Sequence, residues 1–197
     1  MSELRFYFGT MGSGKSTLAL QIHHNLASSG QHGLLLTLLD RSVSAVSSRL
    51  GVAQPAIEVR PDLDLMAMAE DVIAEHGSLE YLVCDEAQFY LPRQIDQLAE
   101  IVDDLEADVF AFGLLTDFRG LLFDGTKRLL ELADRRQELQ VEARCWCHRP
   151  ATHNARLLNG TQVYEGDVVV VGDTGHPEDA VSYELLCRRH WNAGRLA

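Results

Sequence analysis

Residues Gly9-Thr10-Met11-Gly12-Ser13-Gly14-Lys15-Ser16 set glycines, a lysine and a hydroxyl at the spacing G-x-x-x-x-G-K-S. They follow the apolar run Leu4-Arg5-Phe6-Tyr7-Phe8 and precede a stretch in which Leu18, Ile22 and Leu26 recur every four residues. The pattern predicts a buried strand, a glycine-rich loop and a helix beginning at Lys15. Glycines at 9, 12 and 14 let several backbone N–H groups point into one concavity, and the helix adds its positive end. Such a loop binds a nucleoside triphosphate, with Lys15 reaching the outer phosphates and Ser16 ligating magnesium. The motif also restricts the fold, because it needs a strand buried in a sheet on one side and a covering helix on the other.

The rest of the first 140 residues agrees. Apolar runs at Gly33 to Leu39, Tyr81 to Cys84 and Val109 to Leu115 read as buried strands. Helical periodicity over Asp62 to His76, closed by Gly77, and over Pro92 to Leu105 separates them. Residues 41 to 62 read mostly as loop, with a short helix over Val43 to Leu50. Strands alternating with amphipathic helices predict an α/β fold: a RecA-like P-loop NTPase core with a mostly parallel sheet covered on both faces. After about residue 137 the pattern changes to short strands with a hairpin turn at Asn159-Gly160. We therefore expect a nucleotide-binding unit over 1–140 and a small β lobe over 141–197.

The strand at Tyr81 to Cys84 runs into Asp85-Glu86-Ala87-Gln88-Phe89. Acids just past a buried strand lie where open α/β sheets gather ligands. Asp85 suits the acid that holds magnesium opposite Ser16, and Glu86, one residue farther, suits a general base facing an acceptor. Cys84 reads as a small buried core residue.

Three of the four cysteines fall after residue 144, in Cys145-Trp146-Cys147-His148 and Cys187-Arg188-Arg189-His190. Two short pairs from separate strands suit a tetrahedral structural zinc held by Cys145, Cys147, Cys187 and His190, with His148 an alternative to Cys147 in the first pair.

The formal charge of −12 argues against a large nucleic-acid footprint. No apolar stretch has transmembrane length, and Met1-Ser2-Glu3 leads directly into the first strand, so a cytoplasmic location is expected.

In order along nearly the whole chain, several motifs resemble the bacterial branch of the cytosolic-type (type II) thymidine kinases. They are Gly9 to Ser16, Ser47-Ser48-Arg49-Leu50-Gly51, Asp85 to Phe89, Gly113-Leu114-Leu115-Thr116-Asp117-Phe118-Arg119-Gly120-Leu121-Leu122-Phe123, Cys145 with Cys147, Val169 to Gly172, Tyr183, and Cys187 with His190. The resemblance implies transfer of the γ-phosphoryl of ATP to the 5′-hydroxyl of thymidine. It implies an ATP and magnesium site of Gly9, Thr10, Met11, Gly12, Ser13, Gly14, Lys15, Ser16, Thr17, Asp85 and Gln88. Glu86, Lys15 and Arg49 would be catalytic, Arg41 and Arg119 being the other arginines considered for the transferring phosphoryl group. A nucleoside pocket of Met11, Leu114, Phe118, Phe123, Val170, Val171, Gly172 and Tyr183 follows from the same resemblance. So do a dimeric or tetrameric assembly and feedback inhibition by thymidine triphosphate. Three departures stand out: the segment from Gly172 to Ser182 is long for the family, Leu115 replaces a usual polar residue, and the stretch between Asp40 and Ser47 is short. A P-loop ATPase that hydrolyses ATP without a nucleoside, using Glu86 on water, is the competing reading.

Overall fold

In the computed structural model the described residues are 1–38, 45–47, 53–139, 142–168 and 181–197. Strand β1, Leu4–Phe8, leads through the glycine loop to helix α1, Lys15–Ser28. Strands β2 (Gly33–Thr37), β3 (Ala45–Ser47), β4 (Ala53–Pro55) and β5 (Ile57–Glu58) follow. Helix α2, Leu65–His76, starts where the Asp64 carboxylate accepts the Ala67 N–H at 3.0 Å and ends at Gly77 in the left-handed region. Then come β6 (Tyr81–Cys84), a 3₁₀ turn (Ala87–Phe89), α3 (Pro92–Leu105), β7 (Asp108–Gly113), α4 (Asp124–Leu132) and β8 (Arg135–Glu138).

Six strands form one sheet in the order β5-β2-β6-β7-β1-β8, and every neighbouring pair is parallel. Alternate residues of each strand serve opposite faces. Leu82, Cys84, Val109 and Ala111 join Leu65 and Ala69 of α2, Ile95, Leu98 and Ile101 of α3, and Leu129 of α4. On the other face Tyr81, Val83, Phe110 and Phe112 meet Ala19 and Leu20 of α1. Each fully buried leucine or phenylalanine in these layers contributes about 1.5–3 kcal/mol. The two layers fix the sheet, and the sheet fixes the loops at its C-terminal edge.

Residues 45–47 are not helical: β3 pairs antiparallel with β4, so the short helix expected over Val43 to Leu50 is corrected to a strand there, and the remainder lies outside the described residues. Strand β7 stops at Gly113, which leaves Leu114 and Leu115 beyond the sheet edge. Helix α4 and strand β8 were not anticipated. Helix α4 meets the rest of the protein through buried Gly125 and Thr126 as well as Leu129, and β8 is an Arg-Arg-Gln-Glu edge strand with every residue exposed. The apolar side chains of α4 are Leu129, Leu130 and Leu132, gathered at its C-terminal end, and β8 is a charged edge strand of the kind that discourages pairing with other chains.

The C-terminal strands β9 (His153–Leu158), β10 (Thr161–Val163) and β11 (Val181–Leu186) make an antiparallel sheet in the order β10-β9-β11, followed by helix α5, Arg188–Ala193. Asn159 and Gly160, with φ of 50° and 77°, form the β9–β10 turn as expected. Its apolar cluster is small: Cys145, Ala155, Leu186 and Cys187, flanked by Cys147, Trp191 and Leu196. Among the described residues no helix is long and apolar enough to cross a membrane.

Candidate active site and metal cluster

Strands β1, β6 and β7 end side by side, with β7 between the other two, so the glycine loop and Asp85 begin about 10 Å apart. Side chains close that gap: the Ser16 hydroxyl comes near enough to the Asp85 carboxylate to favour its charged form. Gly12 and Gly14 take φ of 74° and 80°, turning the loop around its centre and into α1. Lys15 is buried, and its ammonium donates to the Thr10 carbonyl at 2.8 Å and to the Gly9 carbonyl and Ser13 hydroxyl at 3.3 Å. Thr17 lies in the first turn of α1.

Asp85 is 4% exposed. Burial first, and then the neighbouring Glu86 charge, push its carboxyl up to about 6, while the Ser16 hydroxyl and the Lys15 ammonium pull the other way. Glu86 sits at φ 53°, ψ 31° and is partly exposed. The Gln88 side-chain amide donates to its carboxylate, and the Gln88 oxygen accepts the Leu114 N–H at 3.0 Å. Gln88 thus ties the acid pair to the end of β7. Behind them Cys84 and Tyr90 are fully buried, the Tyr90 hydroxyl without a hydrogen-bond partner among the described residues, and burial pushes both the thiol and the phenol up, leaving them neutral. Cys84 is the core residue its surroundings in the sequence suggested.

The segment after β7 folds back on itself through a bridge between Thr116 and Leu122. The Asp117 carboxylate accepts the N–H groups of Arg119 at 2.9 Å and Leu121 at 3.0 Å and pairs with the Arg119 guanidinium at 2.7 Å. That pairing ties Arg119 to its own loop. Phe118 is 3% exposed, and Phe123 packs edge-on against Phe89 at 5.2 Å between centroids. Leu114 receives a hydrogen bond at its carbonyl from the Thr126 hydroxyl at 2.7 Å.

The C-terminal sheet and helix α5 reach this region at three points. The Asn154 carbonyl oxygen accepts the Met11 N–H at 2.9 Å, the Trp191 indole donates to the Phe118 carbonyl at 3.2 Å, and the Arg156 guanidinium lies 3.7 Å from the Phe118 ring centroid. Arg156 also donates to the Tyr183 hydroxyl at 3.0 Å. Met11, Phe118 and Tyr183 are therefore linked through residues that sequence reasoning missed. Asn154 and Arg156 alternate along β9, which in a sequence reads as a solvated strand face; both are buried. Arg41, Arg49, Val170, Val171 and Gly172 lie outside the described residues.

Four side chains gather beside the C-terminal sheet, Cys145 and Cys147 from the turn before β9, Cys187 and His190 from the start of α5. The ligand atoms of Cys145, Cys147, Cys187 and His190 all lie within 4.8 Å of one another. The Cys147 and Cys187 sulfurs are 3.9 Å apart, and Cys145 Sγ is 3.2 Å from His190 Nδ1. A tetrahedral ion with ~2.3 Å metal–sulfur bonds sets sulfurs about 3.8 Å apart, so the donor set fits such an ion. His148 is not in the cluster: its N–H donates to the Cys145 carbonyl at 2.8 Å and its own carbonyl accepts from Arg144. The His190 N–H lowers the Cys187 thiol, and burial raises that of Cys145. Trp146 stacks on His190 at 4.2 Å and 4°.

A family model described as thymidine kinase matches residues 2–191. Curated relatives named thymidine kinase include one from Streptomyces avermitilis, 56% identical over 96% of this chain and 88% of its own length. One from Cutibacterium acnes is 51% identical over 98% and 90%, and one from Streptococcus thermophilus 40% identical over 97% and 94%. The chain belongs to the thymidine kinase family.

Proposed function

We infer that the protein transfers the γ-phosphoryl group of ATP to the 5′-hydroxyl of thymidine, giving thymidine monophosphate and ADP. The observation that carries the reading is the convergence of the Gly9 to Ser16 loop with Asp85 and Glu86 at one edge of the sheet, with the Ser16 hydroxyl near the Asp85 carboxylate, in a chain of this family.

The triphosphate lies in the loop, against the N–H groups at the start of α1. Lys15 gives up its contacts with loop oxygens for the outer phosphates, at little cost because each lost bond is replaced by a stronger charge-assisted one. Ser16 and Asp85 offer hard oxygen ligands suited to magnesium, which when bound would neutralise charge on the phosphate oxygens. Glu86 accepts the proton of the 5′-hydroxyl as the new phosphorus–oxygen bond forms, and Gln88 holds the Glu86 carboxylate in place. Phe118, Phe123, Leu114, Met11 and Tyr183 enclose the nucleoside, together with the 170–172 segment. Arg49 is assigned to the transferring phosphoryl group.

Residues 1–140 form the donor-binding unit, and residues 141–197 a lobe stapled by zinc on Cys145, Cys147, Cys187 and His190. With all four ligands supplied by protein, the zinc is structural. Family likeness further suggests a cytoplasmic dimer or tetramer, inhibited by thymidine triphosphate.

Glu86→Gln tests the mechanism. It should keep ATP binding and lose transfer at least ~100-fold, the lower end of general-base contributions. Retained transfer would remove Glu86 from the role.

A further inference from the structure

Arg156 is a buried cation that enters none of the chemistry above. It is 4% exposed and sits on β9, the central strand of the C-terminal sheet, directly opposite Tyr183 of β11. Among the described residues it forms no ion pair. A charge buried without a carboxylate needs a full set of other partners. Arg156 has them: its Nε donates to the Tyr183 hydroxyl at 3.0 Å, one terminal nitrogen to the Asp167 carbonyl, and the other to the Val168 carbonyl at 2.8 Å. Its plane also lies 3.7 Å from the Phe118 ring centroid and 5.6 Å from that of Tyr183.

These contacts come from three separated stretches of chain. Phe118 belongs to the loop after β7, Tyr183 to β11, and 167–168 to the connection that follows β10. Only a planar fork with donors in fixed directions can serve a ring face, a hydroxyl and two successive carbonyls together; an ammonium cannot. The Trp191 indole donates to the Phe118 carbonyl, so Phe118 is held at both backbone and ring.

We propose that Arg156 is a positioning residue for the nucleoside: it sets the plane of the Phe118 ring and the place of the Tyr183 hydroxyl as one wall. The proposal rests on the kinase reading above. It makes a specific kinetic demand. A wall that positions the nucleoside acts on nucleoside affinity and leaves the donor loop alone, because none of the Arg156 contacts involves Gly9 to Ser16.

The test is steady-state transfer from ATP to thymidine by wild type, Arg156→Lys, Arg156→Met, Phe118→Leu and the double variant Arg156→Lys with Phe118→Leu. Both Arg156 variants should raise the thymidine KM on the order of tenfold, the range expected for a desolvated cation–π contact. The KM for ATP should stay within about twofold and kcat within about threefold. The double variant should be no worse than about twofold beyond Phe118→Leu alone, since Arg156 acts through that ring. An unchanged thymidine KM, additive effects in the double variant, or a loss confined to kcat would overturn the proposal. So would failure of both Arg156 variants to fold while Phe118→Leu folds, which would assign the arginine to stability. A wild type that transfers nothing to thymidine would instead overturn the kinase reading itself.

Discussion

The hydroxyl of Ser16, at the start of α1, lies near the carboxylate of Asp85, just past the end of β6, across the intervening strand β7, and favours its charged form. That approach brings together the loop and the acid pair, which lie about seventy residues apart in sequence, around a carboxylate in a place with little water.

That carboxylate has a cost in the ligand-free protein. Its pKa rises from 3.8 in the unfolded chain to about 6 in the fold, so between those values the native state binds a proton that the unfolded chain has released. Stability therefore falls as pH rises through 4 to 6, by up to roughly 3 kcal/mol. Asp85→Asn keeps an acceptor for Ser16 and removes the buried charge. It should raise the thermal midpoint at pH 7 by several degrees, lose the pH 4 to 6 slope, and abolish transfer. Thermal unfolding across that pH range checks the first two; a variant less stable than wild type at pH 7 would contradict the account.

Gln88 links Glu86 to the Leu114 N–H. Gln88→Leu leaves that N–H unpaired, which should cost about 1–3 kcal/mol. Glu86 also loses its hold, so kcat should drop roughly tenfold, within the span of general-base contributions. Denaturant unfolding and initial rates at saturating ATP measure the two; normal kcat would show that Glu86 orients itself.

Cys187→Ser removes one ligand from a cluster that substitutes for an adequate apolar core in the C-terminal sheet. Wild type should carry about one zinc per chain, and the variant should retain little and unfold its C-terminal sheet first. Trp146, stacked on His190, should report the loss by a change in fluorescence. Zinc content unaltered by the substitution would remove Cys187 from the ligand set.

Much of this architecture was legible in the sequence where a local pattern carried it. The glycine spacing, the four-residue apolar period of α1, the acids after β6 and the paired cysteines are local signals, and each lies where its pattern implied. What was missed depends on tertiary contact. Arg156 and Asn154 look like a solvated strand face until the fold lays them against Phe118 and Met11. The 3₁₀ turn at Ala87–Phe89 turns Gln88 into a brace between two strand ends, which no spacing rule foretells. Helix α4 is only nine residues long, with Leu129, Leu130 and Leu132 gathered at its C-terminal end, too short a run to show a helical period in the sequence.

The central claim is that Glu86 and the glycine loop act together on a sugar hydroxyl. Incubating the protein with γ-labelled ATP and a panel of nucleosides tests it directly. Label should appear on the 5′-oxygen of thymidine, with ADP formed in equal amount and little ATP consumed without nucleoside. Hydrolysis of ATP to free phosphate at a rate that thymidine does not alter would contradict it.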